Sequence, residues 1–152
     1  MVIRIAVVGS TGRMGRLISG IVAETDGLEL VAAMHSGSDL RELVAADVVV
    51  DVTLPHVSPT VVAAAVEAKK AVLVGTSGWT ADRIAGLRSR VAAGAPGVLI
   101  VPNFSIGSVL ASSFAERAAR FFDSIEIIES HHAGKTDSPS GTAVRTLSLI
   151  HI

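Results

Sequence analysis

Cysteine and tyrosine are both missing from this 152-residue chain, and tryptophan occurs once. Without cysteine there is no disulfide, no thiol nucleophile and no thiolate to hold a metal. Without tyrosine, any mechanism that relies on a tyrosine acid beside a lysine is excluded. Neither charge sign dominates. The formal net charge of −1 leaves no electrostatic footprint for nucleic acid or for an anionic membrane surface. No apolar run reaches the roughly 18 residues that a membrane span needs. The chain starts directly on "VIRIAVVG", with Arg4 inside the apolar stretch. A secretory signal would put its charge first and end in a small-residue cleavage site. A cytoplasmic protein is the expectation. No internal repeat, low-complexity tract or charge run interrupts the pattern.

What the chain does contain is an alternation. Val/Ile-rich runs at 3–9, 28–34, 47–53, 71–75 and 97–102 read as buried strands. Between them, 13–25, 39–46, 58–70 and 80–93 read as helices. Asp39 stands where an N-cap would, and Ser58 with Pro59 looks like a cap followed by the first helical position. Strands that alternate with helices predict an α/β fold with a parallel sheet covered on both faces. After Asn103 the rhythm changes. One long helix is predicted over 105–122 and a sixth strand over 124–130, followed by a loop and a helix start at "GTAVRTLSLIHI". The pattern stops there with no cap and no polar tail. A truncated protein is one reading, and a helix that simply ends the fold is the other.

Three features carry chemistry. The first is "GSTGRMG", which sets Gly9, Gly12 and Gly15 between the first strand and the first helix. Glycine allows a sharp turn and close approach to a phosphate, and first-turn N–H groups then face the anion. Arg13 and Arg16 add positive charge. The spacing departs from the usual dinucleotide fingerprint, but the strand–loop–helix setting favours a dinucleotide over a turn that merely packs. The acidic residue expected at the end of the second strand is replaced by His35, followed by Ser36. Without that carboxylate nothing repels a 2′-phosphate, which favours NADPH. The second feature is the set of strand ends "VTLPH", "GTSGW" and "VPNFS", which together describe the wall of a crevice. The third is "ESHHAGKTDSPSGTA" (129–143), which gathers His131, His132 and Lys135 in one loop. No metal site is expected there, since lysine is no ordinary ligand and adjacent histidines point apart.

These motifs, the last above all, resemble those of the dihydrodipicolinate reductases, formally 4-hydroxy-tetrahydrodipicolinate reductases, of bacterial lysine and diaminopimelate synthesis. The resemblance spans 3–147 and stops short of the family's full length. It implies a Rossmann-like dinucleotide-binding domain over 1–103. It also implies, over 104–152, the incomplete start of an α+β substrate-binding and oligomerisation domain. Gly9, Ser10, Thr11, Gly12, Arg13 and Met14 would hold the pyrophosphate of NADPH or NADH, with His35 and Ser36 at the ribose. Gly75, Thr76, Ser77, Pro102, Asn103 and Phe104 would line the nicotinamide site. His131 would donate and accept the proton, with Lys135 as a second donor. His132, Ser140, Gly141 and Thr142 would hold the substrate, a cyclic imine dicarboxylate. The full-length protein would be a homotetramer. The sequence departs from the family at His35, where most members carry an acidic residue, and at Ser77, where threonine is common.

The implied chemistry suits the residues. A histidine exchanges protons near neutral pH. Lysine and the second histidine supply charge for carboxylates, and N–H groups of Gly141 and Thr142 at a helix start form an anion site. The missing tyrosine excludes the extended short-chain dehydrogenases, which share the glycine spacing. A dinucleotide-binding fragment or redox-sensing regulator without turnover explains the glycine loop but not His131, His132 and Lys135. Because a lone sixth strand leaves both edges unpaired, the expectation for this chain is weak NADPH binding, negligible turnover and no tetramer.

Overall fold

A computed structural model describes residues 1–91, 95–101, 103–131, 133–135 and 138–150. It divides into two compact units, Met1–Val101 and Pro102–Ile152. The first unit is built on strands β1 (Ile3–Val8), β2 (Leu28–Met34), β3 (Val48–Asp51), β4 (Ala71–Val74) and β5 (Val98–Ile100). All neighbouring strands pair in parallel, in the order β2-β1-β3-β4-β5. The fold is Rossmann-like. The chain moves outward one way from β1 to β2 and the other way from β3 onward, so the sheet's switch point lies between β1 and β3.

Period-two alternation decides which face each strand residue covers. Ala6 and Val8 of β1 join Val49, Val72 and Val74 in a buried cluster with Met34, Leu43, Val61, Val62 and Ala65. Helix α2 (Ser58–Glu67) supplies the last three of these, and Leu87 of α3 (Ala81–Arg88) packs at their edge. Ile5, Val7 and Val50 point the other way, onto Val22 and Ile18 of α1 (Arg13–Glu24). Helices therefore cover both faces.

Local chemistry sets the element ends and departs from the sequence reading in places. The segment read as a helix over 39–46 is a 3₁₀ turn, Leu40–Ala45, opened by a complete capping box between Asp39 and Glu42. Ser58 is not a cap. Val57 takes that position, and the Ser58 side chain turns inward without exposed surface. Helix α2 stops at Glu67 because Lys69 adopts φ 55, which lets Lys69 and Lys70 N–H groups reach the carbonyls of Val66 and Ala65. Thr80 caps α3 through the Arg83 N–H, and the predicted extension of that helix to 93 runs partly outside the described residues.

The second unit contains helices α4 (Ile106–Ala119) and α5 (Gly141–Ile150). Ser105 caps α4 through the Ser108 N–H, and Ser112 and Thr146 hydroxyls meet between the helices at 2.9 Å. The sixth strand predicted over 124–130 does not form. No described residue pairs with it, and its Ile125, Ile127 and Ile128 are exposed. A strand is stable only when its backbone groups find a neighbour, which alternation in the sequence cannot supply. No helix among the described residues is long and apolar enough to cross a membrane.

Candidate active site

The glycine loop joins β1 to α1 beside the switch point. Gly9 has φ 91, a conformation L side chains rarely adopt, and a Cβ there would lie 2.5 Å from the Val52 carbonyl oxygen. A Cβ on Gly15 would collide with the Gly9 carbonyl. Gly12 donates its N–H to the Gly9 carbonyl at 3.0 Å and stands at the N-cap of α1. It offers no capping side chain, and the first turn holds no acidic residue. The positive end of the helix dipole is therefore uncompensated by the helix itself. Arg13 and Arg16 are exposed on that first turn. Ser10 donates both its N–H and its hydroxyl to the Met34 carbonyl at 2.9 Å, which locks the loop to the end of β2.

His35 follows directly. Its ring accepts the Gly37 N–H on Nδ1 at 3.1 Å, so the lone pair sits on that nitrogen, and the His35 backbone N–H donates to Ser38 Oγ at 3.0 Å. The imidazole closes the turn as an Asp side chain would, without the negative charge. Ser36 is exposed beside it. Beyond β4, Gly75 donates to the Asp51 carbonyl at 2.8 Å, Thr76 is buried, and Ser77 is exposed. The first unit thus brings Gly9–Met14 and His35–Ser36 together at one end of the sheet, with Gly75–Ser77 at the same ends of the strands.

In the second unit Asn103 ties two elements together. Its Nδ2 donates to Ser108 Oγ at 2.8 Å and to Thr142 Oγ1 at 3.3 Å, while its Oδ1 accepts the Ser105 N–H at 2.8 Å. Phe104 beside it is exposed. Pro102 and His132 lie outside the described residues. At the start of α5, Ser140 is buried and donates its N–H at 2.8 Å and its hydroxyl to the Glu129 carboxylate. Ser140 Oγ also accepts the Ala143 N–H at 3.1 Å, capping the helix. The one hydrogen of that hydroxyl is thus committed to Glu129. Among the described residues the N–H groups of Gly141 and Thr142 meet no acceptor. His131 Nδ1 lies 3.7 Å from Glu129 Oε2.

Glu129 is the residue that the motif contained and sequence reasoning passed over. The Ser140 hydroxyl, then its N–H, then the charges of His131 and Lys135 hold its carboxyl below the ordinary glutamate range. An ionised Glu129 thus holds Ser140 by two hydrogen bonds, with the His131 ring nearby. The signal in the sequence was its spacing, two residues before His131 and 11 before Ser140 within one motif.

Two family models match this chain, one after the other. Residues 3–104 match the dihydrodipicolinate reductase N-terminus and residues 107–151 the dihydrodipicolinate reductase C-terminus. The chain belongs to the dihydrodipicolinate reductase family. It is 59% identical over 151 residues to the 4-hydroxy-tetrahydrodipicolinate reductase of Clavibacter sepedonicus, covering 99% of this chain and 54% of that protein. The reductase of Nocardia farcinica is 47% identical, with 99% and 62% covered. The solved, dipicolinate-bound dihydrodipicolinate reductase of Paenisporosarcina sp. TG-14 superposes with a TM-score of 0.76 at 30% identity. That match covers 99% of this chain and 66% of the other. The chain spans about half to three-fifths of the curated relatives it matches.

For a dihydrodipicolinate reductase domain, the test of fit to a dinucleotide is steric and electrostatic. The space that a Cβ on Gly9 or Gly15 would fill is backbone-lined, and the neighbouring helix start carries no anion of its own. Both properties fit a pyrophosphate.

Proposed function

We propose that this chain carries the cofactor-binding and proton-transfer parts of a 4-hydroxy-tetrahydrodipicolinate reductase. The reaction is the NAD(P)H-dependent reduction of 4-hydroxy-tetrahydrodipicolinate to tetrahydrodipicolinate, in lysine and diaminopimelate synthesis. The observation that carries this reading is that one chain matches both family segments, with a glycine loop opening α1 and a Ser140 cap opening α5. Gly9 to Met14 hold the pyrophosphate through first-turn N–H groups. His35 and Ser36 face the adenosine ribose, and the absence of a carboxylate there favours NADPH. Gly75, Thr76 and Ser77 line the nicotinamide end, as do Pro102, Asn103 and Phe104. The reduced nicotinamide, when bound, supplies a hydride to the electron-poor ring carbon of the substrate.

His131 delivers the proton that accompanies reduction, and Lys135 is the second donor. Glu129 orients His131 by standing opposite Nδ1, which leaves Nε2 for the substrate. The N–H groups of Gly141 and Thr142, with His132 and Ser140, bind the substrate carboxylates. Ser140 holds that helix start in place through Glu129. A homotetramer of the complete protein and a cytoplasmic location belong to the same reading.

A second reading, dinucleotide binding without turnover, is favoured by the large apolar side chains that the second unit leaves exposed. Absorbance of reduced nicotinamide, followed with freshly generated substrate, separates the two. Substrate-dependent loss of NADPH is expected from this sequence once it is completed with the remaining part of the Clavibacter sepedonicus relative. A completed protein that binds NADPH and never consumes it would leave only the second reading.

A further inference from the structure

β3 ends in Asp51, a side chain without exposed surface that none of the roles above uses. Burying a carboxyl group is costly unless its oxygens are hydrogen-bonded. Here the bonds come from the loop after β3 and from the first residue of α2. Oδ1 accepts the Thr53 N–H at 3.1 Å and the Thr53 hydroxyl at 2.6 Å, and Oδ2 accepts the hydroxyl of Ser58. Ser58 is equally buried, and its Oγ lies 2.9 Å from Trp79 Nε1. An indole N–H can only donate. Ser58 therefore accepts from Trp79 and passes its own hydrogen to Asp51, so the direction of the relay is set.

Other bonds join the same two loops. The Asp51 carbonyl accepts the Gly75 N–H at 2.8 Å and the Thr76 hydroxyl at 3.4 Å. Arg83 Nη1 donates to the carbonyls of Pro55 and Gly78, each at 2.9 Å. Gly78, at φ +88, lies so near Pro55 that a Cβ would come within 2.9 Å of its side chain. The loop after β3 and the loop after β4 are thus stitched into one wall with Asp51 at its root.

We infer that Asp51, Ser58 and Trp79 are positioning residues that hold Gly75–Ser77 in the shape that receives the nicotinamide end of the cofactor, an inference that rests on the reading that this loop faces that end. The Ser58–Trp79 arm of the relay leads to the loop after β4. The glycine loop, which holds the other end, is tied instead to Met34.

Ser58→Ala cuts the relay by removing one hydroxyl. Calorimetric titration of the 152-residue chain with NADPH and with 2′-phospho-ADP-ribose, which lacks only the nicotinamide, reads the two ends separately. The expected result is NADPH binding weakened about tenfold, the scale of one or two lost hydrogen bonds, with the ribose analogue within about twofold. Trp79→Phe, which removes the N–H and keeps an aromatic ring, should give the same split. It decides the matter if the alanine variant does not fold. Equal weakening of both ligands, or no change in either, overturns the inference and leaves the functional reading standing. Failure of the unsubstituted chain to bind either ligand overturns both.

Discussion

The two units of this chain spend their apolar residues differently. In Met1–Val101, each central strand is covered on both sides, and Val7, Val49, Val62 and Val74 have no exposed surface. In the second unit Ala119 is the one buried apolar residue among the described ones, while Phe114, Phe121, Phe122 and Ile128 are 62 to 85% exposed. Mean composition cannot explain this, since both stretches are rich in Ala, Val, Ile and Leu. The difference lies in what the backbone can pair with. A parallel sheet of five strands satisfies its own central backbone and presents two faces for helices. A single predicted strand has no ladder to join, so the side chains meant for its inner face have nothing to cover. The first unit covers its own apolar faces, while the described residues of the second leave most of theirs exposed.

The largest expected effect tests the division of labour between the units. His131→Ala, in the chain completed with the relative's remaining part, should lower turnover about 100- to 10,000-fold, the usual scale for a general acid. NADPH affinity should stay within about twofold. A near-normal turnover number would remove His131 from the proton-transfer role and blur the comparison.

Gly9→Ala attacks the closed unit at its tightest point. The positive φ and the approach to the Val52 carbonyl both penalise a methyl, by roughly 2–5 kcal/mol together. A urea melt followed by the fluorescence of Trp79, which belongs to that unit, should shift accordingly. An unchanged midpoint would show that the loop can relax away from β3.

His35→Asp asks a subtler question of the same unit. An aspartate can accept the Gly37 N–H as His35 Nδ1 does, so the turn should persist while a charge is added. The preference should move from NADPH towards NADH by about tenfold, one unfavourable phosphate contact. A marked preference of the unsubstituted chain for NADH in parallel titrations would contradict the role given to the missing acid.

The smallest effect is electrostatic. Arg4 Nη2 and Nε donate to Asp47 at 2.7 and 3.1 Å, and this hydrogen-bonded guanidinium holds the carboxyl at about 2. A carboxylate depressed in the folded state stabilises above its ordinary value and loses that contribution as pH falls through the folded value. Asp47→Asn should therefore lower the melting temperature slightly at neutral pH, with the gap closing between about pH 4 and pH 2. A gap that persists at pH 2 would assign it to packing.

Much of the first unit is legible in the sequence because its signals are local. Period-two apolar runs, Asp39 three residues before Glu42, and glycines at 9, 12 and 15 each act within a few residues of themselves. The proposed proton-transfer loop stands out for the same reason, since His131, Lys135 and "PSGT" are close in sequence. What sequence alone did not determine depends on how the chain folds back on itself between elements. Ser58 reads as a cap until Asp51 and Trp79 are brought to it from opposite sides. Glu129 reads as one more polar residue of a strand until Ser140 folds back onto it. Sequence specifies which residues can pair at short range. The tertiary structure decides which polar groups are satisfied, because donors and acceptors 7, 11 or 21 residues apart become partners only when the sheet and its loops place them within hydrogen-bond reach.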